Sequence, residues 1–404
     1  MSDPGSPNPF EGFPLFGDLA KMLGQSGGSV PWDAARNLAH AVATDNTSEV
    51  NIDPLERISL EKLARVAELH VAHVTGLSTS TTGRELTVLP VNRGAWAQRT
   101  LEDYRPLLEK LAASLGATDA VEAAGDDPDL GLGAEDQFTA MLGPMLQAMQ
   151  PMMVAMTAGS MVGHMARRSF GQYDLPIPRR PSDELLILVP NLEAFGSEWS
   201  LPAEDLRLWI CLHEIAHHAV LGVPHVRARI EGLIGEYTTK FRNDPTALEE
   251  QLGELDITGG PDAMAGLQRA LGEPGALLGA IQSDEQRALL PRLEAIVAVV
   301  VGVVDHVMDE VGTKLIASYG MLTEALRRRR VETAEADRFV ERLLGLELTQ
   351  SVYDRGSAFV DGVIERAGEE GLARLWESEK LLPSPPEVDA PGLWLARIDL
   401  PDGA

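Results

Sequence analysis

Apolar residues spaced three and four apart mark amphipathic helices at about 33–45, 53–75 and 98–115. The pattern changes at Leu185-Leu186-Ile187-Leu188-Val189, an aliphatic run of strand length closed by Pro190-Asn191. Helical signals resume at Ser200-Leu201-Pro202-Ala203-Glu204-Asp205, where a capping hydroxyl, an early proline and first-turn acids predict a helix over about 202–221, stopped by Gly222 and Pro224. Ahead of the strand run lies a Met-rich element running from Met141 to Met165, read as a core face, with Gly159 and Gly163 permitting tight helix contact. Downstream, Ala295 to Val304 is almost wholly apolar and falls in a helix expected over about 292–312, too uniform in character to be a surface helix. Breaks at 258–262 and 272–276, and a polar stretch near 331–336, separate the remaining helices. The pattern is that of a mainly α protein with a small β-sheet. A loose Gly/Pro/Ser-rich arm is expected over residues 1–30, and a single large domain over 31–404.

Composition narrows the function more than the fold. The 404 residues carry 34 Lys plus Arg against 61 Asp plus Glu, a net charge of -27 that repels nucleic acid and anionic membrane. An acidic, Gly-rich loop is expected from Gly116 to Glu135. One cysteine, Cys211, excludes an intramolecular disulfide and reads as a core residue. The first residues have neither a basic start nor an apolar stretch, and the Ala295–Val304 run is too short to span a bilayer, so a cytoplasmic protein is expected. Arg327-Arg328-Arg329-Arg330 is the only basic run, read first as the solvated end of a helix and second as a dock for an anionic partner.

The chemistry concentrates in His213-Glu214-Ile215-Ala216-His217. Positions four apart share one helix face, so His213 and His217 can present both imidazoles to one Zn²⁺. Glu214, about 100° round the helix from His213, reaches the open side of such an ion, where it can take a proton from water and pass it to a leaving amine. A strand ahead of the motif helix can hold a substrate in extended form. A catalytic zinc site takes three protein ligands and leaves the fourth position open. The glycine and histidine of the extended motif are absent, since Val220 and Val223 occupy their positions, and His225 lies beyond the Gly222-Val223-Pro224 break. The favoured third ligand is Asp305, emerging from the apolar helix one turn after Gly302, ahead of His225 and His306. An acid there needs a partner, because an unpaired buried charge is costly.

The sequence resembles the actinobacterial zincin-like metallopeptidases, a family some of whose members are labelled as associated with deazaflavin-coenzyme biosynthesis. The resemblance runs from Phe16 nearly to the C-terminus and rests on Gly171-Gln172-Tyr173-Asp174, Val189-Pro190-Asn191, the His-Glu-x-x-His segment, Asp305-His306-Val307-Met308-Asp309, and Leu343 to Leu348 with Tyr353, Gly356 and Trp376. It implies a zincin-like architecture, with zinc at His213 and His217 and Glu214 as base. It departs at Val301, where relatives often carry Glu, and Asp305 on the same face can replace that residue. The expectation is a zinc-dependent hydrolase acting on a peptide or protein. The alternative is a non-catalytic, zinc-stabilised scaffold.

Overall fold

The Met-rich element forms one long helix, and its glycines are where a neighbour sits closest. A Cβ on Gly159 would lie 2.5 Å from the Ala35 carbonyl oxygen, and one on Gly163 would lie 2.6 Å from Val42 Cβ. The neighbour is α1 (Trp32–Thr44). It is followed by α2 (Pro54–Thr75), β1 (Thr87–Val91), α3 (Arg93–Gly116) and the Met-rich α4 (Ala134–Arg168). Met161 and Met165 are buried as a core face requires, while Met156 is exposed. The computed structural model describes residues 30–116, 134–240, 242–243, 280–281, 283–331 and 335–400. The expected N-terminal arm, most of the acidic loop and the breaks at 258–262 and 272–276 lie outside the described residues.

The aliphatic run forms β2 (Glu184–Leu188), paired in parallel with β1 from Thr87↔Glu184 to Val91↔Leu188. Helices α3 and α4 make the crossover that a parallel pair needs. Pro190-Asn191 does not close the strand with a turn. Its proline opens α5 (Val189–Glu198), in the first turn, where its missing N–H has no intrahelical partner to lose. The expected extended-substrate edge is also taken. Leu186 N–H donates to the Gln172 side-chain carbonyl (3.0 Å) and Leu188 N–H to the Phe170 carbonyl (2.8 Å), so the chain itself fills the side of β2 that β1 leaves.

Next come α6 (Ala203–Gly222), which carries the motif, α7 (Pro224–Thr238), the short antiparallel pair β3 (Arg242–Asn243) and β4 (Ala280–Ile281), and α8 (Asp284–Leu315). Ser200 does not cap α6: its φ is +53°, and the N-cap position is Pro202 without a side-chain bond. Instead Asp205, in the first turn, accepts from Ser318 N (2.9 Å) and Ser318 Oγ (2.6 Å), which ties the helix start to the chain entering α9 (Tyr319–Val331). A capping box of Ser283 and Gln286 starts α8. That helix is buried throughout its apolar run and packs on α6, α7 and α11 (Gln350–Ala373), which follows α10 (Glu335–Leu344). The short α12 (Pro385–Asp389) and α13 (Pro391–Ile398) close the chain. Cys211 is wholly buried against α2, and burial pushes its thiol pKa up. Among the described residues no helix is long and apolar enough to cross a membrane.

One buried carboxylate fastens the sheet. Asp183, just before β2, accepts from the backbone N–H groups of Thr81 (2.6 Å), Thr82 (3.2 Å) and Arg84 (3.1 Å) and from the hydroxyls of Ser80 and Thr82. Burial raises its pKa, but these donors outweigh burial and hold it well below the ordinary 3.8. A lowered folded pKa contributes stability that is complete above 3.8 and lost as pH falls through the folded value. Asp183→Asn is therefore expected to cost about 3 kcal/mol at neutral pH and to flatten the acid limb of the stability profile. Unfolding titrations from neutral pH to pH 2 check this, and identical acid limbs would refute it.

Candidate metal centre and its cleft

Helix α6 is buried nearly all round, wedged between α2 and α8, because Leu206, Ile210, Leu212, Ile215 and Ala219 leave it no polar face. Its chemistry-bearing residues are therefore positioned by the core. His213 and His217 lie one turn apart with ring centroids 4.4 Å from each other. They are the middle pair of a column: Trp209 stacks on His213 (4.9 Å, 17° between planes) and Tyr173 lies parallel to His217 (6.0 Å, 12°). His217 Nδ1 is 3.1 Å from the His213 carbonyl oxygen, which only accepts, so that nitrogen carries the proton and Nε2 keeps the lone pair that a metal would take. His213 Nδ1 is 3.1 Å from Glu214 Oε1, which fixes the same tautomer.

Glu214 is wholly buried. Its Oε2 accepts from the N–H groups of Gln172 (2.6 Å) and Tyr173 (3.0 Å). Burial raises its pKa to about 7, although those two bonds and Arg179 favour the charged form. The cradle requires glycine at 171, where a Cβ would overlap the Glu214 carboxyl group. It is braced from outside: Trp96 Nε1 donates to the Gly171 carbonyl (2.7 Å) and the Arg179 guanidinium to the Gln172 carbonyl (3.0 Å). Sequence reading singled out Gly171 to Asp174 without assigning them a role. The available signal was a glycine and an aromatic residue shortly ahead of the only aliphatic strand run.

A third histidine adjoins the motif but faces elsewhere. His218 Nδ1 pairs with the Tyr173 hydroxyl (3.0 Å), and its Nε2 is 3.9 Å from Asp183 Oδ1. Burial holds its pKa down, at about 4. Of the residues considered for a third ligand, His225 Nε2 donates to the Leu375 carbonyl (2.9 Å) and His306 Nε2 lies 3.1 Å from Glu369 Oε1. Asp305 is half-buried on α8, and Val301, one turn earlier, is buried. Among the described residues no three His, Cys, Asp or Glu side chains gather as a metal site. The structure thus brings together His213, His217 and Glu214, and does not group Asp305 with them. The two imidazoles fit a zinc ion in donor type and tautomer, and supply two of the three donors that a catalytic ion takes.

A cleft of about 130 Å³ opens beside this centre, lined by Phe170, Asp174, Trp209, His213, Arg329 and Tyr353 among others. His213 is the motif side chain that reaches it, with 13% of its side chain exposed. Asp174 accepts from Phe170 N (3.0 Å), and burial raises its pKa against the pull of Arg329.

A mainly helical fold, with a buried helix presenting two ligand-type histidines and an intervening glutamate, defines a zincin-like protein. The chain belongs to the zincin-like metallopeptidase family, whose sequence profile matches residues 30–395. It is also similar in fold to a crystal structure from Chloroflexus aurantiacus, described as a candidate hydrolase with a novel fold. That structure is 22% identical, with a TM-score of 0.57, and the match covers 92% of this chain and 99% of the other. No curated protein matches the sequence.

Proposed function

We propose that the protein is a zinc-dependent hydrolase of the peptidase kind, with His213 and His217 as zinc donors, Asp305 completing the donor set and Glu214 as general base. The observation that carries this reading is the pairing of two tautomerically fixed imidazoles with a buried carboxylate of near-neutral pKa, beside a cleft that His213 enters. Zinc held there would polarise a carbonyl and make water more acidic. Glu214 Oε1, the oxygen not gripped by backbone N–H groups, would exchange its bond with His213 Nδ1 (3.1 Å) for the attacking water, take that water's proton and return it to the leaving amine. Its pKa of about 7 suits both directions of transfer. Tyr173 holds the plane of His217, and Trp209 that of His213. Asp305 is supported by its position one turn past Val301 on the helix packed against α6.

Zinc analysis and peptide-library profiling, each with and without chelator, test this reading. Asp305→Ala is expected to weaken zinc binding by at least about tenfold. Asp309→Ala should do so less, because that carboxylate already accepts from the Tyr319 hydroxyl (2.7 Å). Equal zinc affinity in wild type and Asp305→Ala removes Asp305 from the site. The complete burial of Glu214 favours a second reading, in which the motif stabilises a scaffold and turns nothing over. Chelation would then lower the melting temperature, with no chelator-sensitive cleavage to lose.

A further inference from the structure

We infer that the cleft beside His213 is a specificity pocket for one apolar side chain of leucine size, carried by a peptide next to the reacting bond. That role rests on the hydrolase reading; the binding itself does not.

The charged groups at the cleft are engaged by the protein itself. The basic run splits on folding: Arg327 and Arg328 turn outward to Glu324, while Arg329 turns inward. The Arg329 guanidinium carbon lies 3.7 Å from the Phe170 ring centroid and 5.5 Å from that of Phe195, and the group donates to the Arg168 carbonyl. Arg168 donates in turn to the Arg329 carbonyl (3.3 Å). Asp174 accepts from Phe170 N (3.0 Å) and lies in the field of Arg329, while burial favours its neutral form. Glu341, on the same wall, also has a partner within the protein. A charged ligand would have to break into these pairings, whereas an apolar one displaces only water.

What the wall offers beyond them is rings and aliphatic carbon, from Phe170, Leu175, Trp209, Leu326, Leu348 and Tyr353. Phe170, Leu175, Trp209 and Leu326 are each no more than 8% exposed, so the core backs this wall and holds its shape. Trp209 stacks on His213 at 4.9 Å, so a side chain seated against the indole lies beside the motif. At roughly 30 Å³ per water, a cleft of about 130 Å³ takes about four waters, close to the four non-hydrogen atoms of a Leu, Ile or Met side chain. An extended substrate cannot add to β2, whose open side is bonded to Phe170 and Gln172, so burial of a side chain has to supply the selectivity. In a chain of net charge -27 the general field repels an acid and leaves an apolar side chain unaffected.

The test is a binding titration of the full chain, as purified and again with chelator. Trp209 in the cleft wall reports by fluorescence, and Trp209→Phe locates the signal. The probes are the N-acetyl amides of leucine, glycine, asparagine and lysine; asparagine has nearly the shape of leucine without its apolar surface. The leucine probe should bind about tenfold more tightly than the glycine and asparagine probes, with or without chelator. Leu348→Asn, at a half-buried position of the wall, should remove most of that preference. Equal binding of the leucine and asparagine probes by wild type, tighter binding of the lysine probe, no saturable signal, or a preference lost on chelation would overturn the inference. So would a signal that survives Trp209→Phe, or an undiminished preference in folded Leu348→Asn. The comparison among probes on wild type needs no variant, so a poorly folding Leu348→Asn does not blunt it. A leucine preference without chelator-sensitive cleavage would count against the hydrolase reading alone, and cleavage without that preference against this inference alone.

Discussion

Glu214→Gln is expected to keep the fold and the zinc content of wild type while hydrolysis falls by about 10²- to 10⁴-fold, the range general base catalysis supplies. A glutamine fits the cradle: its carbonyl oxygen can accept from Gln172 N and Tyr173 N, and the bond lost is the one to His213 Nδ1–H, because the amide NH2 only donates. What it lacks is a lone pair basic enough to take a proton. Glu214→Ala should behave differently. It strands two buried N–H groups, at about 1–3 kcal/mol each, and so loses stability as well as activity. Zinc content, thermal melting and chelator-sensitive cleavage measured side by side separate the cases. If Glu214→Gln loses zinc while remaining folded, Glu214 is a ligand; if it cleaves like wild type, the carboxylate only braces the Gly171 to Tyr173 turn.

Gly356→Ala should produce the largest loss of stability of any single methyl addition considered. Helices α8 and α11 cross with Gly302 against Gly356. A Cβ at 356 would overlap the Ala298 carbonyl oxygen and lie 2.9 Å from the Ala298 carbonyl carbon and 3.0 Å from Gly302 N. These are backbone atoms, so no side chain can swing away, and the helices must separate along a contact that packs the apolar run of α8. A cost of about 3 kcal/mol is expected. Gly232→Ala is the control: a Cβ there meets nothing within 4 Å, and helix propensity alone predicts a gain of up to about 1 kcal/mol. Denaturant unfolding that places the two variants within about 0.5 kcal/mol of each other would show that the crossing does not depend on this approach.

The helices over 32–44 and 54–75 match the expected spans within a residue, and α6 matches in the same way, because a 3.6-residue period is written into the order of apolar residues. The close approaches at Gly159 and Gly163 were legible for a related reason: a glycine on an apolar helix face marks where a neighbour can come near. The identity of His213, Glu214 and His217 as a candidate site was also local, since two residues four apart share a face in any helix. Strand β1 was not legible. Its partner is 97 positions away, and a five-residue run containing Pro90 has little periodicity of its own.

The sequence by itself therefore determined a mainly helical chain with a His-Glu-x-x-His helix in its core. Those properties depend on spacings within one element. The tertiary structure alone decided that Glu214 is sealed under Gly171, that Tyr173 lies parallel to His217, that β2 offers no open edge and that Arg329 leaves its basic run for the cleft. Each of these depends on which distant backbone or ring meets a given polar group once it is buried. Burial and partners, not residue type alone, set the pKa of a buried carboxylate and what a buried guanidinium can reach.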